Sequence, residues 1–230
     1  MSASLRKLLP LCINVSERRD DRDHEPLYSQ EWDYLAPAVS RRKAEFLTSR
    51  CCAREVLAAL GLDRPPMIPG PAGAPRWPDG VVGSITHCEG YRAAVAAWAR
   101  EVWAVGVDAE PAKSLPPGVL EVVALDAEID RLAVLSSTNP DLPWDRLLFS
   151  VKESVYKVWF PLARTWLDFE DADVRLDRSG RFTAVLAQPL LVPGGEAVNE
   201  LSGRWATDGR HVLSALALLD PTVPVGELVP

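Results

Sequence analysis

Cysteine is scarce in this 230-residue chain, and the four that exist, Cys12, Cys51, Cys52 and Cys88, form no C-x-x-C pair. That removes the common zinc and dithiol-redox signatures. Cys51 and Cys52 are adjacent and point in different directions, and all four read as free, mostly buried thiols of a reducing compartment. Long apolar runs are missing too: none approaches the about 18–20 residues that span a bilayer. The stretch Met1–Cys12 is basic and then briefly apolar, with no small-residue cleavage site behind it. A cytoplasmic protein without membrane attachment is therefore expected. Basic charge is in deficit, with 25 Lys and Arg against 32 Asp and Glu and a net charge of −7. Proteins that grip nucleic acid through its phosphates carry basic surfaces, so no nucleic-acid partner is expected. No G-x-x-x-x-G-K-[ST] loop, no G-x-G-x-x-G turn and no G-x-S-x-G elbow occurs, and Ser84 lies too close to His87 for hydrolase geometry.

What is present is a core: 47% of residues are apolar, enough for one large domain or two small ones. Residues 16–25 are a mixed charge run and read as a solvated loop or helix end. Residues 40–60 read as a helix, with Ser40 as N-cap, Ala44, Leu47, Cys51, Val56 and Leu60 on its apolar side and Gly61 closing it. Arg41, Arg42, Lys43, Arg50 and Arg54 make this segment locally basic, and Arg50 and Arg54, one turn apart, share a side. Residues 63–80 are too rich in proline for a regular element. They run into Val81–His87. Tyr91–Trp98 and Val102–Val107 read as strands around a turn at Ala99–Glu101. After Pro111, Pro116 and Pro117, helices are expected over 118–135 and from Pro143 to Phe160, ended by Pro161. Val174–Leu176, Phe182–Leu186, Gly203–Thr207 and His211–Leu219 read as strands, the last two joined by the Asp208-Gly209 hairpin signal. The pattern, helix then strands repeated, predicts an α/β or α+β protein with two lobes joined near 108–118: 1–107, 108–219 and a loose tail, 220–230.

Three clusters could carry chemistry. Asp108 and Glu110 end an apolar strand, and a period of two puts both carboxylates on one side. Like charges repel there, and a hard divalent cation with oxygen ligands would relieve them. Taken alone, such a pair is more often a solvated strand end. The second cluster is Phe149-Ser-Val-Lys-Glu-Ser-Val-Tyr-Lys-Val-Trp-Phe160. Lys152, Glu153, Tyr156 and Lys157 form a narrow charged stripe on a helix that is otherwise apolar, which is more typical of a site than of a solvated face. The third is Gly83-Ser84-Ile85-Thr86-His87, a small, hydroxyl-rich turn followed by His that could present backbone N–H groups and a cation to phosphates.

In this order, Arg50-Cys51-Cys52-Ala53-Arg54, Trp77 to Cys88, Val105-Gly-Val-Asp-Ala-Glu-Pro111 and Phe149 to Lys157 resemble the Sfp-type 4′-phosphopantetheinyl transferases. The likeness is strongest to actinobacterial members, over residues 40 to 170. It implies two similar α/β lobes with pseudo-twofold symmetry and a coenzyme A site in the cleft between them. It implies transfer of the phosphopantetheine arm to a serine of an apo acyl or peptidyl carrier protein of fatty-acid, polyketide or nonribosomal-peptide type, with release of 3′,5′-ADP by a monomer. By motif, Asp108, Glu110 and Glu153 would bind Mg²⁺ (or Mn²⁺), Lys152 and Lys157 would contact the pyrophosphate, and Ser84, Thr86 and His87 would lie along coenzyme A. Arg42 and Arg50 would hold the 3′-phosphate and adenine end. Glu153 is the expected base, with Lys152 and His87 assisting. Ala72 stands where relatives carry a basic residue, which implies one phosphate contact fewer. The rival readings are a metal-dependent phosphodiesterase or nuclease, and a non-catalytic module that binds coenzyme A or a carrier.

Overall fold

A computed structural model describes residues 3–21, 28–35, 40–70 and 73–222, apart from the side chains of Tyr34, Ser40, Arg41 and Arg42. The first sheet has the order β1-β3-β2, from β1 (Asn14–Arg18), β2 (Val81–Cys88) and β3 (Tyr91–Trp98). The second has the order β4-β8-β7-β6-β5, from β4 (Val102–Pro111), β5 (Ala172–Leu176), β6 (Arg181–Leu191), β7 (Ala197–Thr207) and β8 (His211–Leu219). All pairings are antiparallel. A short helix, α1 (Ser29–Leu35), precedes α2 (Ser40–Ala59), which packs on the first sheet. Helices α3 (Leu120–Val123) and α4 (Asp126–Thr138) lead into α5 (Trp144–Ala163), which packs on the second.

One connection order occurs twice. In the first half, strand β1, helix α2 and the hairpin β2–β3 follow one another, and β3 returns to pair with β1. In the second, strand β4 and helix α5 are followed by the hairpin β7–β8, and β8 returns to β4. Strands β5 and β6 extend the second sheet beyond β7. The mixed α/β architecture in two similar halves is thus present.

Small residues let the layers approach. Alanine-rich β3 is central and buried on both faces: Ala94 and Ala96 meet Cys52, Ala53, Val56 and Leu57 of α2, while Ala93, Val95 and Ala97 face Val105, Val107 and Leu213. Gly106 brings β4 against α5. A Cβ there would lie 2.0 Å from the Ser154 carbonyl oxygen, so no larger residue fits without moving the helix.

Several elements differ from the sequence reading. Part of the 16–25 charge run is strand β1, and Glu17 within it accepts the Leu5 N–H at 2.8 Å and the Tyr91 hydroxyl. Five residues offer too little alternation to reveal such a strand. The helix expected over 118–135 is two helices, broken where Leu125 turns extended and donates its N–H to Glu128 at 2.7 Å. Leucine carries no capping signal, so that break was invisible. Pro161 lies inside α5 instead of ending it; the helix closes one turn later at Arg164, in the left-handed region at φ 58°. So near the terminus the ring removes only one helical donor. Strand β4 runs on to Pro111, so Asp108 and Glu110 are strand residues and the division expected at 107/108 falls inside β4. Strand β6 continues past Leu186 through a register shift between Val185 and Leu190 that accommodates Pro189. Of the expected loose tail, residues 223–230 lie outside the described residues. No described helix is long and apolar enough to cross a membrane.

Candidate functional site

The two sheets meet where β2 lies along β4, joined not by a ladder but by side chains. Ser84 Oγ accepts the Val107 N–H at 3.2 Å, and Thr86 Oγ1 accepts the Ala109 N–H at 3.0 Å. Thr86 in turn donates to Asp108 Oδ1 at 3.2 Å. Both hydroxyl residues are only 3% exposed. Ser84 and Thr86 therefore knit the halves together, and Thr86 also orients Asp108.

At this seam a cleft of about 320 Å³ is lined by Ile85, Thr86, His87, Asp108, Glu110, Phe149, Glu153 and Lys157. Three elements supply it. The alternation of β4 puts Asp108 and Glu110 on one side. Residues 149, 153 and 157 recur at helical spacing and form one stripe of α5. The end of β2 contributes His87, whose Nδ1 stands 3.8 Å from Glu45 Oε2 on α2. Two of the three expected acids are pushed towards neutrality. Burial, then the neighbouring Asp108 carboxylate, raises Glu110 to about 7 against the pull of Arg146 and Lys157. Burial also raises Glu153, opposed by Lys157. Lys157 Nζ donates to Asp108 Oδ1 at 2.7 Å and to the Val107 carbonyl at 3.0 Å. Arg146 donates to Glu110 Oε2 at 3.0 Å.

Asp108 Oδ2 is buried without a hydrogen-bond partner, in a cleft that holds two further carboxylates. An oxygen-only donor set with an orphaned carboxylate oxygen suits a hard dication. As they stand, no three His, Cys, Asp or Glu side chains among the described residues are close enough to hold a metal. The chemistry of the donors fits; their final convergence requires side-chain movement. A larger cleft, about 470 Å³, lies between α3, α4 and the start of α5. Its lining includes Asp141 and Asp145 but no Lys, Arg or His, so it is unsuited to a pyrophosphate.

Other expected residues lie elsewhere. Lys152 does not reach the cleft: it turns to the opposite flank of α5, 2% exposed, with Nζ 2.7 Å from Glu128 Oε2 and 2.6 Å from the Phe169 carbonyl. One residue along a helix is a rotation of about 100°, which separates it from Glu153. Burial lowers its pKa, and Glu128 opposes that shift. Arg50 is 6% exposed, bonded from Nε to the Met67 carbonyl at 2.7 Å, with its guanidinium 4.0 Å above the Phe46 ring. Arg54 forms a buried pair with Glu31 at 3.1 Å. The basic segment of α2 is thus partly an internal strut. The Arg42 side chain and Ala72 lie outside the described residues. Sequence reasoning missed Arg146, Glu128 and Glu45. Only Arg146 carried a signal, standing two turns before Glu153 on the same face of α5.

The two-lobed fold carries carboxylates, a lysine and a histidine in an acid-lined cleft at its seam, and sequence comparison gives the family. The family described as 4′-phosphopantetheinyl transferase N-terminal domain matches residues 30–97, and the 4′-phosphopantetheinyl transferase superfamily matches residues 104–206. The chain is 48% identical over 218 residues to the 4′-phosphopantetheinyl transferase Svp of Streptomyces mobaraensis, covering 93% of this chain and 89% of that one. It is 43% identical over 195 residues to the 4′-phosphopantetheinyl transferase PptT of Mycobacterium tuberculosis, covering 82% and 85%. With enterobactin synthase component D of Salmonella typhi it shares 36% identity over 138 residues, 60% of this chain and 56% of that one. The chain belongs to the 4′-phosphopantetheinyl transferase superfamily.

Proposed function

We propose that the chain transfers the 4′-phosphopantetheine arm of coenzyme A to a serine hydroxyl of an apo carrier protein of fatty-acid, polyketide or nonribosomal-peptide type, releasing 3′,5′-ADP. The observation that carries this reading is the cleft at the seam, where Asp108, Glu110 and Glu153 share one wall system with Lys157 and His87. Asp108, Glu110 and Glu153 would hold Mg²⁺, or Mn²⁺ in its place. The ion, when bound, neutralises charge on the pyrophosphate that is attacked and on the leaving phosphate. Lys157 has two of its donors engaged on Asp108 and Val107, and its ammonium remains on the cleft wall for a phosphate oxygen. His87 faces the same space, held from behind by Glu45. Glu153, whose proton affinity burial raises, is the group assigned to take the serine proton. The serine oxygen then attacks the phosphorus that carries pantetheine, and the bond to the 3′,5′-ADP oxygen breaks.

The acidic net charge supports a reading without nucleic acid. Action in the cytoplasm is part of the same reading. A monomer is taken as the working unit.

The test is to incubate the protein with coenzyme A, Mg²⁺ and several unrelated apo carriers and to weigh the carriers. Gain of the phosphopantetheine mass, lost on chelation and in Glu153→Gln, is the expected result. No gain on any carrier would sink the reading. Mg²⁺-dependent cleavage of nucleic acid in its place would favour a phosphodiesterase, and coenzyme A binding without transfer a non-catalytic module.

A further inference from the structure

Arg146 was not singled out by any motif, yet its guanidinium is held at three points beside the acidic cleft. Its Nε donates to the Lys113 carbonyl at 3.0 Å and Nη2 to the Ser114 carbonyl at 3.2 Å. The remaining prong, Nη1, meets Glu110 Oε2 at 3.0 Å. A planar fork held at two points cannot swing its third donor, which a lysine ammonium on a flexible stem could do. The neighbouring Asp145 adds a fourth hold, with Oδ2 accepting the Leu115 N–H at 2.8 Å. The first turn of α5 therefore clasps Lys113–Leu115, the segment that leaves β4 after Pro111.

The pair is sheltered: the Arg146 and Glu110 side chains are 16% and 20% exposed. Fully exposed pairs, by contrast, are worth little. Arg146 is not among the residues lining the cleft, so it addresses Glu110 from outside. It also stands two turns from Glu153 on the same face of α5. Two of the three acids of the site are thereby referenced to one rigid helix, Glu153 directly and Glu110 through the guanidinium. The other Glu110 oxygen, Oε1, has no hydrogen-bond partner among the described residues and stays available to the cleft.

We propose that Arg146 is a positioning residue for the transfer, fixing the Glu110 carboxylate and the Lys113–Leu115 segment in the orientation in which Glu110 serves a divalent cation. This rests on the reading of Glu110 as a metal ligand. Arg146 is assigned no contact with coenzyme A or with the carrier.

The experiment uses the full chain and four variants: Arg146→Met, Arg146→Lys, Glu110→Gln and the Arg146→Met/Glu110→Gln double. Mn²⁺ affinity is measured by electron paramagnetic resonance, with and without coenzyme A. The kcat, the KM for coenzyme A and the half-saturating Mg²⁺ concentration are measured in parallel. Residues that orient a metal ligand typically contribute 10–100-fold to affinity, so Arg146→Met is expected to weaken Mn²⁺ by about that factor. The Mg²⁺ requirement should rise equally while the KM for coenzyme A at saturating Mg²⁺ holds. Arg146→Lys should recover only part, because an ammonium cannot bridge both carbonyls and the carboxylate. In the Glu110→Gln background, Arg146→Met should weaken Mn²⁺ no further.

Parental Mn²⁺ affinity in Arg146→Met, alongside a weakened Glu110→Gln, would overturn the role of Arg146 and leave the metal site standing. Additive losses in the double variant would also overturn it, since Arg146 would then act other than through Glu110. Parental affinity in Glu110→Gln would overturn the ligand reading and this proposal together. Should Arg146→Met not fold, parental Mn²⁺ affinity in Arg146→Lys overturns the three-point hold.

Discussion

Replacing Lys152 by methionine separates two incompatible roles for that residue. Lys152 and Glu128 are 2% and 1% exposed and 2.7 Å apart. Glu128 also accepts the N–H groups of Leu125 and Val174, each at 2.7 Å, so it joins α4, α5 and β5. Lys152→Met keeps the volume and removes the charge, stranding a carboxylate in the core. Breaking such a pair from one side costs about 3–5 kcal/mol. For a chain of this size each kcal/mol corresponds to about 2–4 °C, so melting should fall by about 6–20 °C. Glu128→Gln strands the ammonium instead. The double variant buries neither charge, and its cost should fall short of the summed single costs by about 2–3 kcal/mol. The assay is urea unfolding of the four proteins, with the KM for coenzyme A measured below the melting range. That KM should stay at the parental value in Lys152→Met, because the side chain does not reach the cleft. A raised KM with a small stability loss and additive single effects would refute the argument and restore Lys152 to the pyrophosphate, as the family resemblance implies.

Other outcomes follow from the same contacts. Thr86→Val removes the acceptor of the Ala109 N–H and a donor to Asp108; it should cost about 1–3 kcal/mol in denaturation and weaken Mn²⁺ binding as well. Gly106→Ala places a methyl group against the Ser154 carbonyl and should destabilise by about 1–3 kcal/mol while lowering kcat, as read by melting and by carrier mass gain. Asp208 has a lowered pKa: burial opposes the shift, but the His211 and Arg210 N–H groups and Arg19 outweigh it. Its contribution is present above its unfolded value and lost as pH falls through the lower folded one. Stability followed by fluorescence below about pH 4 should therefore fall less steeply in Asp208→Asn than in the parent. An unchanged slope would contradict this.

Periodicity made the long elements legible. The apolar spacing of α2 and α5, the β7–β8 hairpin and the strand that ends in Asp108 and Glu110 all follow from local pattern. So does the cleft stripe, because 149, 153 and 157 recur at helical spacing. The β2–β3 hairpin does not: Gly83–Thr86, read as a turn, is the middle of β2, and β3 pairs with β1 and β2 while β4, beyond the turn at Ala99–Glu101, belongs to the other sheet. What sequence could not supply is rotation about the helix axes. Lys152 and Glu153 are neighbours in a motif, yet the core on one flank and β5 on the other send them to opposite sides. Arg50 and Arg54 look like surface cations beside Arg42, but Glu31 and the Met67 carbonyl, distant in sequence, draw them inward. Strand β1 was hidden because its charges are neutralised by partners far along the chain.

Strand β4 is an edge of its sheet, with β8 on one side only. Such an edge ordinarily offers a row of open N–H groups to any passing strand. Here the Val107 and Ala109 donors on that edge are occupied by Ser84 and Thr86 of the other half. The contacts that bring the acids to the seam thus also shield the chain from self-association. A variant loosened at β2 would lose solubility along with the arrangement of its acids, and aggregation would be the first visible sign that the seam had come apart.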